Sequence, residues 1–193
     1  MLKDVREPDA PAIHEAPPPG RPAAIRTVRL AKDFGDTKAL KELDLEVPRG
    51  IVFGLLGPNG AGKTTMIRLL LDLIRPTGGS AEVLGLDCQA DSLAVRGRCG
   101  YLPGDLKLPA RRTSRQYLDH MARLRGGVDD DYVVELAARL GLDLDRQIGD
   151  QSKGNRQKVG LVSAFMSRPE LLILDEPTSG LDPFRQHDVQ EMM

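Results

Sequence analysis

Residues 51–64, IVFGLLGPNGAGKT, decide the fold, because a short apolar run leads directly into a glycine-rich segment ending in Lys-Thr. Residues 57–64 match the phosphate-loop pattern G-x-x-x-x-G-K-[ST]. Glycines let such a loop curl with its amides facing inward, and the positive end of a following helix also attracts an anion. The apolar run predicts a strand covered on both faces in a parallel sheet, and the spacing of residues 64–74 predicts a helix.

The end of this loop carries side chains that suit a nucleotide and its metal ion. Lys63 is placed to reach the β- and γ-phosphates, and the Thr64 hydroxyl is placed to bind Mg²⁺. We expect Thr65 to add a contact to the α-phosphate. The direct succession of strand, loop and helix favours this interpretation over a chance match.

A second apolar run, LLIL at residues 171–174, predicts another buried strand, and Asp175 and Glu176 follow it. Ligands of open parallel sheets collect at the carboxyl ends of the strands, so we expect Asp175 to hold magnesium through water or Thr64. Glu176 is a candidate general base that polarises the attacking water. By themselves, these two carboxylates are equally typical of a strand that ends in solvated charges.

The remaining pattern predicts a β portion first and a helical insert later. Alternating apolar and polar residues at 25–30 and 43–47 predict half-exposed strands. Thr113 and Gln116 have the spacing of a capping box at the start of a helix. This helix opens an insert at about residues 104–150.

Three further helix signals follow along the chain. Aspartates at 129–131 favour the start of a second helix in the insert, and Gly141 is suited to end it. Apolar spacing predicts a helix over 153–167, and Asp182 followed by proline predicts the start of a last helix.

Composition limits the function classes. The chain has 193 residues, and its 27 Lys and Arg against 28 Asp and Glu give a net charge of -1, which does not favour general binding to nucleic acid. Two cysteines, Cys88 and Cys99, are too few for a disulfide framework and suit a reducing cytosol. Residues 1–22 are proline-rich and predict a disordered tail, with a polyproline docking segment as the alternative, ahead of one domain at 23–193.

The order of these motifs resembles the nucleotide-binding subunit of ATP-binding cassette (ABC) transporters, over residues 24–193. Between the phosphate loop and LLILDEP lies a degenerate copy of the family's LSGGQ signature, QSKGN at 151–155. Lys153 stands where the family has a glycine. The resemblance implies a P-loop NTPase fold, α/β with a mainly parallel central sheet, an N-terminal antiparallel β portion and a helical insert.

The resemblance also implies roles for residues outside the phosphate loop. Phe34 falls where the family places an aromatic ring against adenine, with an ordinary core phenylalanine as the alternative. Ser152 and its neighbours would clamp the γ-phosphate held by a partner subunit, or Ser152 is only a helix cap. The SGLD segment at 179–182 matches the loop that couples the two sites of the family's dimer. The resemblance implies that Lys63 and Glu176 are catalytic residues and that Thr64 and Asp175 are metal ligands. The residues it implies for nucleotide binding are Phe34, Gly57, Pro58, Asn59, Gly60, Ala61, Gly62, Lys63, Thr64, Thr65, Ser152, Gly154, Asn155 and Asp182.

Two departures from the family bear on activity. Gly104, followed by Asp105, stands where the family has a magnesium-contacting glutamine, so Asp105 or water substitutes or coupling is altered. The family also has a histidine on a strand beyond Asp182, and His14, His120 and His187 lack that setting. We therefore expect a truncated cassette with much reduced hydrolysis, an expectation that robust turnover abolished by Glu176→Gln would overturn.

The resulting functional hypothesis is an ATP-binding and ATP-hydrolysing subunit that powers export through a separate membrane permease. Its cofactors would be ATP and Mg²⁺, and its partners the permease and a second ATP-binding subunit, identical or different, but not nucleic acid. It would lie in the cytoplasm on the inner face of the cell membrane. The alternative is a soluble cassette ATPase acting on nucleic acid or ribosomes, which the near-zero charge disfavours.

Overall fold

The computed structural model describes residues 22–193. Apart from Pro22, the predicted tail at 1–22 lies outside the described residues. The described part holds six strands and six α-helices, with a short 3-10 turn before the fifth helix. They are β1 (Ala23–Phe34), β2 (Thr37–Pro48), α1 (Lys63–Leu70), β3 (Gly78–Val83), β4 (Leu86–Asp87), α2 (Ser92–Arg98), β5 (Cys99–Leu102), α3 (Ser114–Leu124), α4 (Asp130–Leu140), the 3-10 turn (Ile148–Asp150), α5 (Lys153–Phe165), β6 (Leu171–Leu174) and α6 (Pro183–Met192).

The first four strands form an antiparallel sheet in the order β2-β1-β3-β4, which confirms the predicted antiparallel β portion. Ile25 pairs with Val47 across β1 and β2 and with Val83 across β1 and β3. The side chains of Ile25, Leu30 and Val47 lie in a core that α1 also covers with Ile67. Strict alternation would place Ile25 and Leu30 on opposite faces, and the register shift between Thr27 and Leu30 brings both to this core.

A second sheet consists of β5 and β6, which run parallel, with Leu102 opposite Leu174. It carries the predicted LLIL strand, although only Ile173 of the four residues is fully buried. The amide of Asp175 continues the ladder by donating to the carbonyl of Leu102 at 2.9 Å. The position of Asp175 is therefore fixed relative to β5 as well as β6.

The apolar run at 51–57 differs from its prediction as a buried strand. It has no regular structure, and the side chains of Val52 and Leu56 are 70% and 88% exposed. A strand needs a hydrogen-bonding neighbour, and a doubly buried strand also needs covering layers on both faces. Across residues 22–193, no strand forms a ladder with this segment. The apolar composition of this segment is typical of a buried strand, but composition does not show whether a neighbouring strand is present to pair with it.

The helices follow the capping signals of the sequence. Thr113 and Gln116 form a complete capping box at the start of α3. The Asp129 side chain accepts from two amides at the start of α4, and Gly141 ends that helix in the left-handed conformation. The two helices pack on α5 around a second core that includes Leu118, Leu140, Val159 and Leu161. None of the helices described here is both long and apolar enough to span a bilayer.

Candidate functional site

The glycine-rich loop leads from residue 57 to α1, and its backbone takes left-handed conformations that favour glycine. Gly62 has φ of 88° and forms the N-cap of α1. A Cβ at Gly62 would lie 2.6 Å from the carbonyl oxygen of Ala39, so β2 and the loop approach more closely than any side chain allows. Gly60 has a similar φ of 85°. The loop is thus held against the first sheet at its helical end.

Lys63 does not reach away from this loop. Its ammonium donates to the carbonyl oxygens of Gly57 and Pro58, at 2.5 and 2.9 Å. A lysine ammonium carries three protons, and these carbonyls supply two of its acceptors. The structure therefore has Lys63 bonded to its own loop, whereas the sequence predicts that it reaches the β- and γ-phosphates. Phosphate oxygens are charged, and they form stronger hydrogen bonds with an ammonium than neutral carbonyls do.

Thr64 and Asp175 are brought together although 111 positions separate them in the sequence. The Thr64 hydroxyl donates to Oδ2 of Asp175 at 2.9 Å, joining the first turn of α1 to the end of β6. Both are oxygen donors of the kind Mg²⁺ prefers. Among residues 22–193 no three His, Cys, Asp or Glu side chains cluster, so the chain offers this pair rather than a cage. The pair fits a magnesium ion that also takes phosphate and water ligands.

These two residues and Glu176 line a cleft of about 430 Å³. The other lining residues are Arg68, Tyr101, Pro103, Gly104, Asp105 and Lys107. Burial, and next the Asp175 carboxylate, raise the pKa of Tyr101, while Arg68 opposes the shift. The Tyr101 phenol therefore stays neutral at physiological pH and can donate a hydrogen bond within the cleft.

Arg68, Tyr101 and Lys107 were not predicted from the sequence as site residues. Arg68 follows Thr64 by one helical turn, a spacing that could have indicated a shared face. Tyr101 lies on β5, and only the pairing of β5 with β6 brings it near Asp175. Lys107 forms an exposed ion pair with Asp105 at 3.2 Å.

Gly104 lies directly against the metal-ligand candidate. A Cβ added there would be 3.1 Å from Oδ2 of Asp175, tighter than an ordinary contact. Asp105 lines the same cleft, but its carboxylate is paired with Lys107 and is 75% exposed. Whether Asp105 takes the place of the family's glutamine remains a prediction.

The signature-like segment lies at the start of α5 and contacts the SGLD segment rather than the cleft. Ser152 is the N-cap of α5, its hydroxyl accepting from the amide of Asn155 at 3.2 Å. Lys153 Nζ donates to the Ser179 hydroxyl at 3.2 Å. Asp182 caps α6 by accepting from the amide of Arg185. The capping alternatives for Ser152 and Asp182 are thus both present in the structure.

Phe34 lies at the end of β1, and its ring is 53% exposed. The Lys32 ammonium is 4.9 Å from the ring centroid. Phe34 is thus exposed and not packed in a core, and its contact with adenine stays a prediction. His187 lies on α6 in an exposed pair with Glu191. His14 falls outside the described residues.

A family model and individual relatives in known bacteria all point to the same family of proteins. The family model described as ABC transporter matches residues 40–179. The chain is 43% identical over 168 residues to the daunorubicin resistance ATP-binding protein DrrA3 of Streptomyces coeruleorubidus, covering 83% of this chain and 52% of that protein. It is 34% identical over 171 residues to the bacitracin transport ATP-binding protein BcrA of Enterococcus faecalis, covering 88% of this chain and 56% of that protein. The chain thus spans about half the length of these relatives.

Among solved structures, the ATP-binding subunit of an ABC transporter superposes with a TM-score of 0.81 at 30% identity, over 88% of this chain and 73% of that one. The dimeric bacterial ABC transporter cassette MJ0796, at 20% identity and a TM-score of 0.79, has the same fold; 87% of this chain and 80% of that one are covered. These matches confirm the α/β, P-loop NTPase class that the family resemblance implies. The chain therefore belongs to the ABC transporter family, as a nucleotide-binding subunit with the P-loop NTPase fold.

Proposed function

We propose that this chain binds Mg²⁺ and ATP through residues 57–65, hydrolyses the ATP at the much reduced rate expected from its departures from the family, and powers export through a separate membrane permease. The observation that supports the proposal best is the 2.9 Å hydrogen bond from Thr64 to Asp175. It joins the predicted phosphate loop to the predicted magnesium ligand, which lie 111 positions apart in the sequence. Members of this family are ATPases in general.

Lys63 and the loop amides would bind the phosphates. Phosphate oxygens compete for the Lys63 ammonium against the carbonyls of Gly57 and Pro58, because charged acceptors form the stronger bonds. The N-terminus of α1, where Gly62 is the cap, adds amides and a positive dipole end. The chain's own contribution to binding is thus one cation and a set of main-chain donors.

Thr64 and Asp175 would hold the metal ion, and Glu176 would orient water. When bound, Mg²⁺ neutralises charge on the phosphate oxygens. Glu176 is exposed and lines the same cleft as Thr64 and Asp175, so its carboxylate can accept a proton from a water molecule there. Tyr101 and Arg68 add one neutral donor and one cation to the lining.

The export part of the proposal comes from the relatives. Their names describe bacitracin transport, daunorubicin resistance and Nod factor export. By analogy, we propose a second ATP-binding subunit facing this one and a permease that places both at the inner face of the cell membrane. A neighbouring reading frame for a multi-span membrane protein would support this arrangement, and a second cassette in the same polypeptide would contradict it.

Calorimetric titration of the chain with ATP and Mg²⁺ tests the nucleotide site. Lys63→Ala should weaken ATP binding by about a hundredfold, since it removes charge-assisted hydrogen bonds to two phosphates. Lys41→Ala on the exposed face of β2 is the matched control and should bind as the wild type does. Equal affinity of wild type and Lys63→Ala would reject the proposed site.

A further inference from the structure

Glu176 has a backbone conformation that needs support from its surroundings. Its φ is 52°, in the left-handed region that non-glycine residues rarely adopt. Such a conformation persists only where neighbouring groups hold it. Since φ sets the direction of the side chain relative to the flanking backbone, a return to ordinary φ would turn the Glu176 carboxylate away from its place beside Asp175.

The support comes from the interior of α5. Gln157 is 5% exposed, and its Nε2 donates to the carbonyl oxygen of Glu176 at 3.1 Å. The same carbonyl accepts from the amide of Ser179 at 3.1 Å, closing a turn. The carbonyl oxygen of Glu176 therefore accepts two hydrogen bonds, one from its own turn and one from a buried glutamine on α5.

Two further contacts join the start of α5 to the same turn. Lys153 Nζ bonds to the Ser179 hydroxyl, and the backbone of Gly154 lies against that of Gly180. A Cβ at Gly154 would be 2.3 Å from the Gly180 carbonyl oxygen. With the Gln157 bond, these contacts make one joint between α5 and residues 176–180, which we call the α5–turn joint.

We propose that Gln157 is a positioning residue that holds Glu176 in its left-handed conformation, and that the α5–turn joint links the start of α5 to this candidate base. The proposal rests on the proposed function only for the role of Glu176 in hydrolysis. Gln157 does not line the cleft, so it acts through the Glu176 backbone and not on the nucleotide.

The test uses the full chain with three variants. Gln157→Met keeps the length of the side chain and removes the donor, and Gln157→Glu keeps a donor only while its carboxyl group is protonated. Gln190→Met, at an exposed position on α6, is the matched control. Amide hydrogen exchange of residues 178–180, expressed as protection relative to the unfolded peptide, is measured against pH, together with ATP affinity and single-turnover hydrolysis.

We expect Gln157→Met to lose about tenfold in protection at every pH, the scale of one buried hydrogen bond. Gln157→Glu should lose as much at neutral pH and recover protection as the pH falls and its carboxyl group protonates. ATP affinity should be unchanged and hydrolysis slower by about tenfold. Wild-type protection in Gln157→Met, or hydrolysis at the wild-type rate, would overturn the proposal.

If the proposed function is wrong, the same measurements give a different result. If ATP does not bind, or if Lys63→Ala binds it equally well, the nucleotide site is wrong, while the protection measurements still decide whether Gln157 holds the Glu176 turn. If ATP binds and protection falls but hydrolysis keeps its wild-type rate, Gln157 is only a structural residue and the positioning role is rejected.

Discussion

Gly100, on β5, is the position where one added methyl group should do most damage to the sheet that carries Asp175. A Cβ at Gly100 would lie 2.1 Å from the carbonyl oxygen of Ala164 on α5. It would also lie 2.8 Å from Cδ2 of Leu172 and 2.9 Å from Cγ of Pro169. The nearest of these atoms belongs to helix backbone, so α5 and β5 must separate to admit the methyl group.

The loss in free energy of unfolding follows from how closely the added methyl group would approach these atoms. Overpacking costs about 1–3 kcal/mol in typical cores, and a backbone carbonyl that must move by about 1 Å places Gly100→Ala at the upper end, near 3 kcal/mol. Gly97→Ala is the matched control, because Gly97 lies in α2 and an added Cβ would have no neighbour within 4 Å outside the backbone of its own helix. Alanine is the better helix former, so this control should gain about 0.5–1 kcal/mol.

Urea unfolding, followed by circular dichroism, gives the free energy of unfolding of both variants. With a denaturant slope of about 2 kcal/mol/M, Gly100→Ala should lower the unfolding midpoint by about 1.5 M and Gly97→Ala should raise it slightly. The alanine for glycine change is the same in both, and the expected loss of about 3 kcal/mol at Gly100 exceeds the gain of about 0.5–1 kcal/mol that helix propensity gives Gly97→Ala, so the sign of the change at Gly100 reports the overlap with α5. A free energy of unfolding for Gly100→Ala within about 1 kcal/mol of the wild type would refute the close contact between β5 and α5.

Two further predictions concern stability. Thr113→Ala removes the side-chain half of the α3 capping box and should cost about 1 kcal/mol in the same urea assay, where no loss would contradict the cap. Burial raises the pKa of Cys88 to about 12 and of Cys99 to about 11 from 9.0, so above pH 9 the unfolded chain binds fewer protons than the folded chain and stability should fall. Under reducing conditions Cys88→Ala should make the fall between pH 9 and about 11 shallower, and an unchanged slope would count against burial of that thiol.

The sequence predicted best what depends on neighbours along the chain. The caps at Thr113, Asp129 and Asp182 and the end of α4 at Gly141 are all present, since each needs only atoms within a few residues. The sequence also predicts that Asp175 acts at the phosphate loop through water or Thr64, and the structure has the direct contact with Thr64.

What the sequence did not show depends on contacts between distant segments. The run at 51–57 has the composition of a buried strand, but strand formation requires a partner that composition does not reveal. Tyr101 joins the cleft only through the pairing of β5 with β6. Gln157 has no local signal for its bond to Glu176, since a polar residue on a helix is ordinarily solvated.

The central claim is that Thr64 and Asp175 hold a metal ion beside nucleotide bound in the loop at 57–65. The most direct measurement is the affinity for ATP in Mg²⁺ and in excess chelator, for the wild type and for Asp175→Asn. We predict that Mg²⁺ tightens ATP binding to the wild type and that Asp175→Asn loses most of this gain. An Asp175→Asn variant that keeps the full effect of Mg²⁺ would contradict the account.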